Sequence, residues 1–222
     1  KHSTTKKLAR SFFYYKNKKL NIDLNGIHFE NPVGLAAGFD KNALIPNILP
    51  SLGFGFTEVG SITAKPCAGN PKPRLFRLPK DQALVVNYGL CNDGAKAISQ
   101  RLKSRTNDIP IGINIAKTND PSIKGDASIN DYYLTFTLLK DLGDYITINI
   151  GCPNVGDGKS FEDPLLLEKL LQRIGRTNKT IFLKISSDIK HERLDKIISL
   201  SKKYSISGFV IANLLGIIVA TA

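Results

Sequence analysis

The sequence predicts an α/β protein whose parallel strands belong to a (β/α)8 barrel, and three observations carry that expectation. Short apolar or β-branched runs alternate with helix-patterned stretches along the 222 residues. The runs are nearly continuous in apolar residues, as strands buried on both faces are. Polar residues close several different runs, whereas a doubly wound sheet would gather them at one switch point.

In chain order, residues 1–19 form a basic arm. Lys1, Lys6, Lys7, Arg10, Lys16, Lys18 and Lys19 precede the first acid, Asp23, and carry seven of the net +12 charges. Leu8, Phe12 and Tyr15 have the spacing of one helical face, with Phe13 and Tyr14 beside them. A basic aromatic helix suits an anionic membrane surface; a solvated arm is the plainer alternative. Nucleic acid is not an expected partner, because no nucleic-acid motif accompanies the charge. Residues 20–222 form the barrel domain. It opens with a hairpin, 20–29, around Asn25-Gly26, a dipeptide that favours two-residue turns.

Six strands are then expected at 33–38, 56–63, 111–116, 145–150, 181–186 and 209–212. Helices are expected at 42–52, 93–105, 128–142, 164–176 and 191–204, with apolar spacings of three and four and starts such as Pro164 after Asp163. About six of eight βα units are therefore present. Residues 74–87 break the rhythm and read as an inserted loop or hairpin over one end.

Composition narrows the function. The three cysteines, Cys67, Cys91 and Cys152, are odd in number and irregularly spaced, which implies reduced thiols in a cytoplasmic setting. His2, His28 and His191 match no metal-ligand spacing, so no metal is expected. The longest uncharged apolar stretch, 208–222, is too short to span a bilayer and contains Asn213. The expectation is a soluble protein, or one peripheral on the inner face of the membrane. No G-x-G-x-x-G follows a strand and no G-x-x-x-x-G-K-[ST] occurs, so dinucleotide and nucleoside-triphosphate sites have no signal.

The strand-closing polar residues are Lys41, Asn114, Lys117, Asn149, Cys152, Asn154, Lys184, Ser186 and Asn213, all on one expected rim. Singly, each has an ordinary structural reading, such as a solvated strand end or a satisfied buried amide. Together they mark a site.

The motifs carrying these residues resemble one family. N-P-V-G-L-A-A-G-F-D-K-N at 31–42 is similar to the first signature of dihydroorotate dehydrogenases, and G-N-P-K-P-R-L-F-R-L-P at 69–79 to a loop of their quinone-using, membrane-associated class. G-I-N-I-A-K at 112–117, D-Y-I-T-I-N-I at 144–150, C-P-N at 152–154 and F-L-K-I at 182–185 follow in family order.

The resemblance implies an FMN-dependent oxidation of dihydroorotate to orotate in pyrimidine biosynthesis, with quinone as second acceptor. It implies that Ala37, Gly38, Phe39, Lys41, Ser61, Asn114, Asn149, Lys184 and Ala212 line FMN. Lys41, Asn87, Tyr88, Gly89, Leu90, Asn149, Asn154 and Asn213 would contact substrate. Cys152 would take a proton from C5, with hydride leaving C6 for the flavin.

Three departures stand out. Cys152 occupies a position that is usually serine in the quinone-linked class and resembles the classes that use fumarate or NAD. Val86 stands where a substrate-contacting asparagine is usual, with Asn87 one place later. After Asn213 the sequence soon ends, so the expectation is a partial chain or truncated product, with two strands and the FMN-phosphate loops missing. Two rival readings are a related flavin enzyme that reduces other pyrimidines and a non-catalytic remnant that only binds partners.

Overall fold

A computed structural model describes residues 3–106, 108–151 and 160–212. Cys152, Asn154 and Asn213 lie outside the described residues.

Helix α1, Ser3–Phe13, leads in. It leaves Leu8, Phe12 and Phe13 exposed and ends before Tyr15, so the expected Leu8–Phe12–Tyr15 face is only partly helical. Tyr14 and Lys16 just beyond it both donate to Glu30, at 3.0 and 3.1 Å.

Strands β1, Ile22–Leu24, and β2, Ile27–Phe29, pair antiparallel with Leu24 opposite Ile27. Asn25 and Gly26 both take positive φ, 51° and 77°, the conformation that a two-residue hairpin turn of this hand requires.

The main sheet has six parallel strands: β3, Gly34–Leu35; β4, Phe56–Ile62; β7, Ile111–Ile115; β8, Tyr145–Asn149; β9, Thr180–Ile185; and β10, Gly208–Ile211. All six expected strands are present. Their spatial order is their chain order, and the sheet curls into part of a barrel. Strands β5, Leu75–Leu78, and β6, Ala83–Val86, form the inserted antiparallel hairpin.

Four helices cover the outer face: α2, Gly94–Leu102; α3, Asp126–Leu139; α4, Pro164–Ile174; and α5, His191–Lys203. The start of α4 is set chemically. The Asp163 carboxylate accepts from the Leu165 and Leu166 amides at 2.9 and 3.1 Å, and Pro164 supplies a pre-set φ. Ile113, Ile146, Ile148 and Leu183, each wholly buried, meet Leu139, Leu167 and Leu170 in one apolar layer. Each such side chain contributes roughly 1.5–3 kcal/mol by leaving water.

The helix expected at 42–52 is a correction. Only Pro46–Leu52 winds, and as a 3-10 helix. Pro50 inside it has no N–H to give and crowds an α-helical carbonyl, so the tighter turn is adopted.

Inside the curl, the N-terminal ends of the strands are filled by rings lying over bare backbone. Phe56 faces Gly34, Tyr145 faces Gly112, and Phe182 faces Gly208, each pair in direct cross-strand register. A Cβ on Gly34 or Gly112 would sit 2.2 or 2.1 Å from the facing ring. The rings also meet edge to face, Phe29 with Phe56 at 5.4 Å and Tyr145 with Phe182 at 5.3 Å, so the β2 strand helps close this floor.

Candidate functional site

Above this floor, toward the C-terminal ends of the strands, the inner face turns polar. Glu58 on β4, 6% exposed, accepts from Asn114 Nδ2 at 2.7 Å and from the Thr147 hydroxyl at 2.8 Å. Asn114 Oδ1 accepts from the Ser61 hydroxyl at 2.5 Å, and Ser61 Oγ accepts from Asn149 Nδ2 at 3.0 Å. Ser61, Asn114 and Asn149, three of the expected cofactor residues, therefore form one connected chain across β4, β7 and β8. Tyr132 from α3 holds the backbone of this rim by donating to the Asn149 carbonyl at 2.6 Å.

Two glycines make the chain possible. Glu58 and Tyr145 are both cross-strand partners of Gly112, so the Tyr145 ring can lean over β7 toward Glu58. Burial, and then the Glu58 charge, push the Tyr145 phenol far up, so it keeps its proton. The register of β4 on β7 shifts between Val59 and Ile62, which turns Ser61 to the same inner face as Glu58 while Ile62 joins the outer core. Gly60 takes φ 113° there, and a Cβ would meet the Asn114 carbonyl at 2.4 Å.

The other expected residues are distributed as follows. Gly38 lies beside this bulge, its amide donating to the Gly60 carbonyl at 2.7 Å, and the space where a Cβ would stand is open. Ala37 is half-buried next to it and Phe39 is exposed. Lys41 brings its amine to 5.3 Å from the Tyr88 ring centre, uniting the loop after β3 with the one after β6. Gly89 and Leu90 are buried behind Tyr88. Asn87 is exposed, and its amide oxygen accepts from Asn70.

Lys184 is the register partner of Asn149 and half-buried on the inner face of β9. Among the described residues nothing hydrogen-bonds or pairs with its amine. Ala212 is exposed beyond β10.

Two of the rim's polar residues are bound into loops instead. Lys117, 1% exposed, donates to the Ile123 carbonyl at 3.0 Å, and the Ser186 hydroxyl donates to Glu162 at 2.6 Å. Asp131 braces the same region by accepting from the Thr118 amide and hydroxyl at 2.7 and 2.8 Å, and burial raises its carboxyl above the ordinary range.

Glu58, Thr147, Tyr145 and Tyr132 are not among the site residues that the sequence pattern or the resemblance marks. An acid set inside the apolar run 56–63 was the available signal, since a carboxylate there must find donors.

A cavity of about 300 Å³ opens beside the rim between Lys65, Cys67, Gly69, Gly89, Thr118 and Asn119. A larger one, about 590 Å³, lies at the other end of the strands beneath the β1–β2 turn, where Asp144 and Lys179 are already engaged with neighbouring groups. The rim, not the larger cavity, holds the converging amides.

The rim residues fit a flat, hydrogen-bonding ring: bare backbone at Gly38 for close approach, amides with fixed orientation, and a cation at Lys184. Among the described residues no group of three or more His, Cys, Asp or Glu side chains could hold a metal ion, and no helix is long and apolar enough to cross a membrane.

Comparison with known proteins gives a consistent result. The family model described as dihydroorotate dehydrogenase matches residues 19–221. A relative named dihydroorotate dehydrogenase (quinone) from Synechococcus sp. (strain JA-2-3B'a(2-13)) is 42% identical over 205 residues, which are 90% of this chain and 53% of that protein. One of the same name from Nostoc punctiforme is 42% identical over 214 residues, 93% of this chain and 56% of the relative. The chain thus spans about half the length of these relatives. The crystal structure of the ligand-free enzyme of the same kind from Eimeria tenella superposes with a TM-score of 0.82 at 27% identity, covering 97% of this chain and 68% of that one.

Proposed function

The chain belongs to the dihydroorotate dehydrogenase family, and from that premise we propose that it takes part in the FMN-dependent oxidation of dihydroorotate to orotate, with a quinone as second acceptor. The observation that carries the reading is the buried chain Glu58–Asn114–Ser61–Asn149, which turns amides of fixed sense toward one rim beside Lys184.

FMN, when bound, supplies the acceptor for the hydride that leaves C6 of the substrate. Gly38, Ser61, Asn114, Asn149 and Lys184 would hold it, with Ala37, Phe39 and Ala212 at the edges. The Lys184 ammonium favours negative charge on a neighbouring ring. Lys41, held near Tyr88, is placed to meet the substrate carboxylate. Asn149, Asn154 and Asn213 offer the paired donor and acceptor that an imide edge needs. Cys152 takes the C5 proton.

Quinone is favoured over fumarate and NAD by the names of the relatives and by the 69–79 loop. The exposed Leu8, Phe12 and Phe13 of α1, among basic residues, favour contact with an anionic membrane surface. The test is anaerobic mixing of the FMN-loaded chain with dihydroorotate. Flavin absorbance should bleach and then recover on adding a short-chain quinone, but not on adding fumarate or NAD. Bleaching by a nicotinamide with none by dihydroorotate would favour the pyrimidine-reductase reading instead.

A further inference from the structure

Glu58 is buried within the curl, and nothing in the proposed reaction uses it. Its carboxyl receives the Asn114 amide and the Thr147 hydroxyl, both donors, with the Tyr145 phenol on its other side. An anchor that only accepts dictates the sense of every link beyond it. Asn114 must turn Nδ2 toward Glu58, which leaves Oδ1 facing Ser61. The Ser61 hydroxyl has a single proton and gives it to that oxygen. Ser61 can then only accept from Asn149, whose Nδ2 faces it.

We propose that Glu58 is a positioning residue for the rim: it fixes the donor–acceptor sense of Asn114 and Ser61, and through Ser61 that of Asn149, so that Asn149 turns its amide nitrogen inward and its carbonyl oxygen away from Ser61. The consequence for ligand binding rests on the flavin reading above; the orientation itself does not.

The substitution Glu58→Gln removes the dictation. The amide it introduces can donate to Asn114 Oδ1, Asn114 can then donate to Ser61, and Ser61 to Asn149 Oδ1. The chain then runs in reverse and Asn149 presents a donor where it had presented an acceptor. Size and burial are unchanged, so this variant isolates direction from packing.

The test is a double-mutant cycle on the 222-residue chain, using Glu58→Gln, Ser61→Ala and the pair. The first readout needs no ligand: the side-chain NH2 resonances of Asn114 and Asn149, followed by nitrogen-edited NMR. Glu58→Gln should shift both in the parent, but only Asn114 in the Ser61→Ala background, because the link to Asn149 is cut.

The second readout is the dissociation constant for FMN. It should weaken about tenfold in Glu58→Gln, the scale of ~1.4 kcal/mol for one reversed hydrogen bond, with no further loss on adding that change to Ser61→Ala. An unmoved Asn149 resonance in Glu58→Gln, or equal movement with and without Ser61, overturns the proposal. If the parent itself takes up no FMN, the resonances alone decide the orientation, which does not depend on the flavin. Should Glu58→Gln fail to fold, Thr147→Val, which removes one donor but keeps the acceptor-only anchor, must leave the Asn149 resonance in place; a shift there also overturns it.

Discussion

At the N-terminal ends of the strands, Phe56, Tyr145 and Phe182 lie over Gly34, Gly112 and Gly208, and the interior is filled by shape alone. From Glu58, just above that floor, to Asn114, Ser61 and Asn149 toward the C-terminal ends of the same strands, it is filled by hydrogen bonds whose direction is set. The floor depends on volume, so it is broken by an added methyl group. The rim depends on donor and acceptor identity, so it is broken by isosteric changes that leave volume untouched. Tyr145 joins the two, since its ring covers Gly112 and its hydroxyl meets Glu58.

The largest expected effect is on turnover. Replacing the proposed base, Cys152→Ala, is expected to slow flavin bleaching by dihydroorotate roughly 10²–10⁴-fold while FMN stays bound. Stopped-flow absorbance measures this, and a rate within tenfold of the parent at every pH would place the base elsewhere. Since an unperturbed thiol titrates near a pKa of about 8.5, the parent rate should rise with pH.

The apolar layer behind both regions sets the scale for stability. Ile146→Ala, at a wholly buried position of β8, should cost about 2–5 kcal/mol in denaturant unfolding, because it removes contacts and leaves a cavity. The floor then gives a graded series. Gly112→Ala, whose Cβ would lie 2.1 Å from the Tyr145 ring, should destabilise by about 1–3 kcal/mol and also weaken FMN binding by driving that ring against Glu58 and moving the anchor itself. Gly208→Ala, where the nearest Phe182 atom is 3.2 Å away, should cost less than Gly112→Ala and leave FMN affinity unchanged. Equal effects on flavin affinity would erase the distinction between a shape-filled floor and a wired rim.

The smallest effect expected is one of pH. Burial raises the Asp131 carboxyl, so the folded chain holds this proton more tightly than the unfolded chain. Its stabilising contribution is present below the ordinary carboxylate value and is lost as pH rises through the raised folded value. Asp131→Asn should remove that slope. Melting temperatures of the parent and variant, compared upward from about pH 4, should show the parent losing ground to the variant; parallel curves would mean that the Thr118 donors fully offset burial.

Much of this was readable along the chain. The period of apolar runs located all six strands of the parallel sheet, because strands buried on both faces leave few polar interruptions. Asn25-Gly26 located the hairpin turn, because both residues tolerate positive φ. Asp163-Pro164 located the start of α4. The 42–52 stretch misled because apolar spacing fits a helix there while Pro46 and Pro50 deny it the hydrogen bonds.

For the site, strand-closing positions marked Asn114, Asn149 and Lys184 and the family resemblance added Ser61, but neither told that Ser61, Asn114 and Asn149 are bonded to one another. No spacing rule links Glu58 to Thr147, or Gly112 to Tyr145. Those pairs depend on the register of three strands, on a bulge that turns Ser61 inward, and on a ring that crosses a strand where no Cβ stands in its way. Sequence determined which groups could serve at the rim, since chemistry resides in the side chain; tertiary structure decided which way each one faces, since hydrogen-bond direction is a property of neighbours.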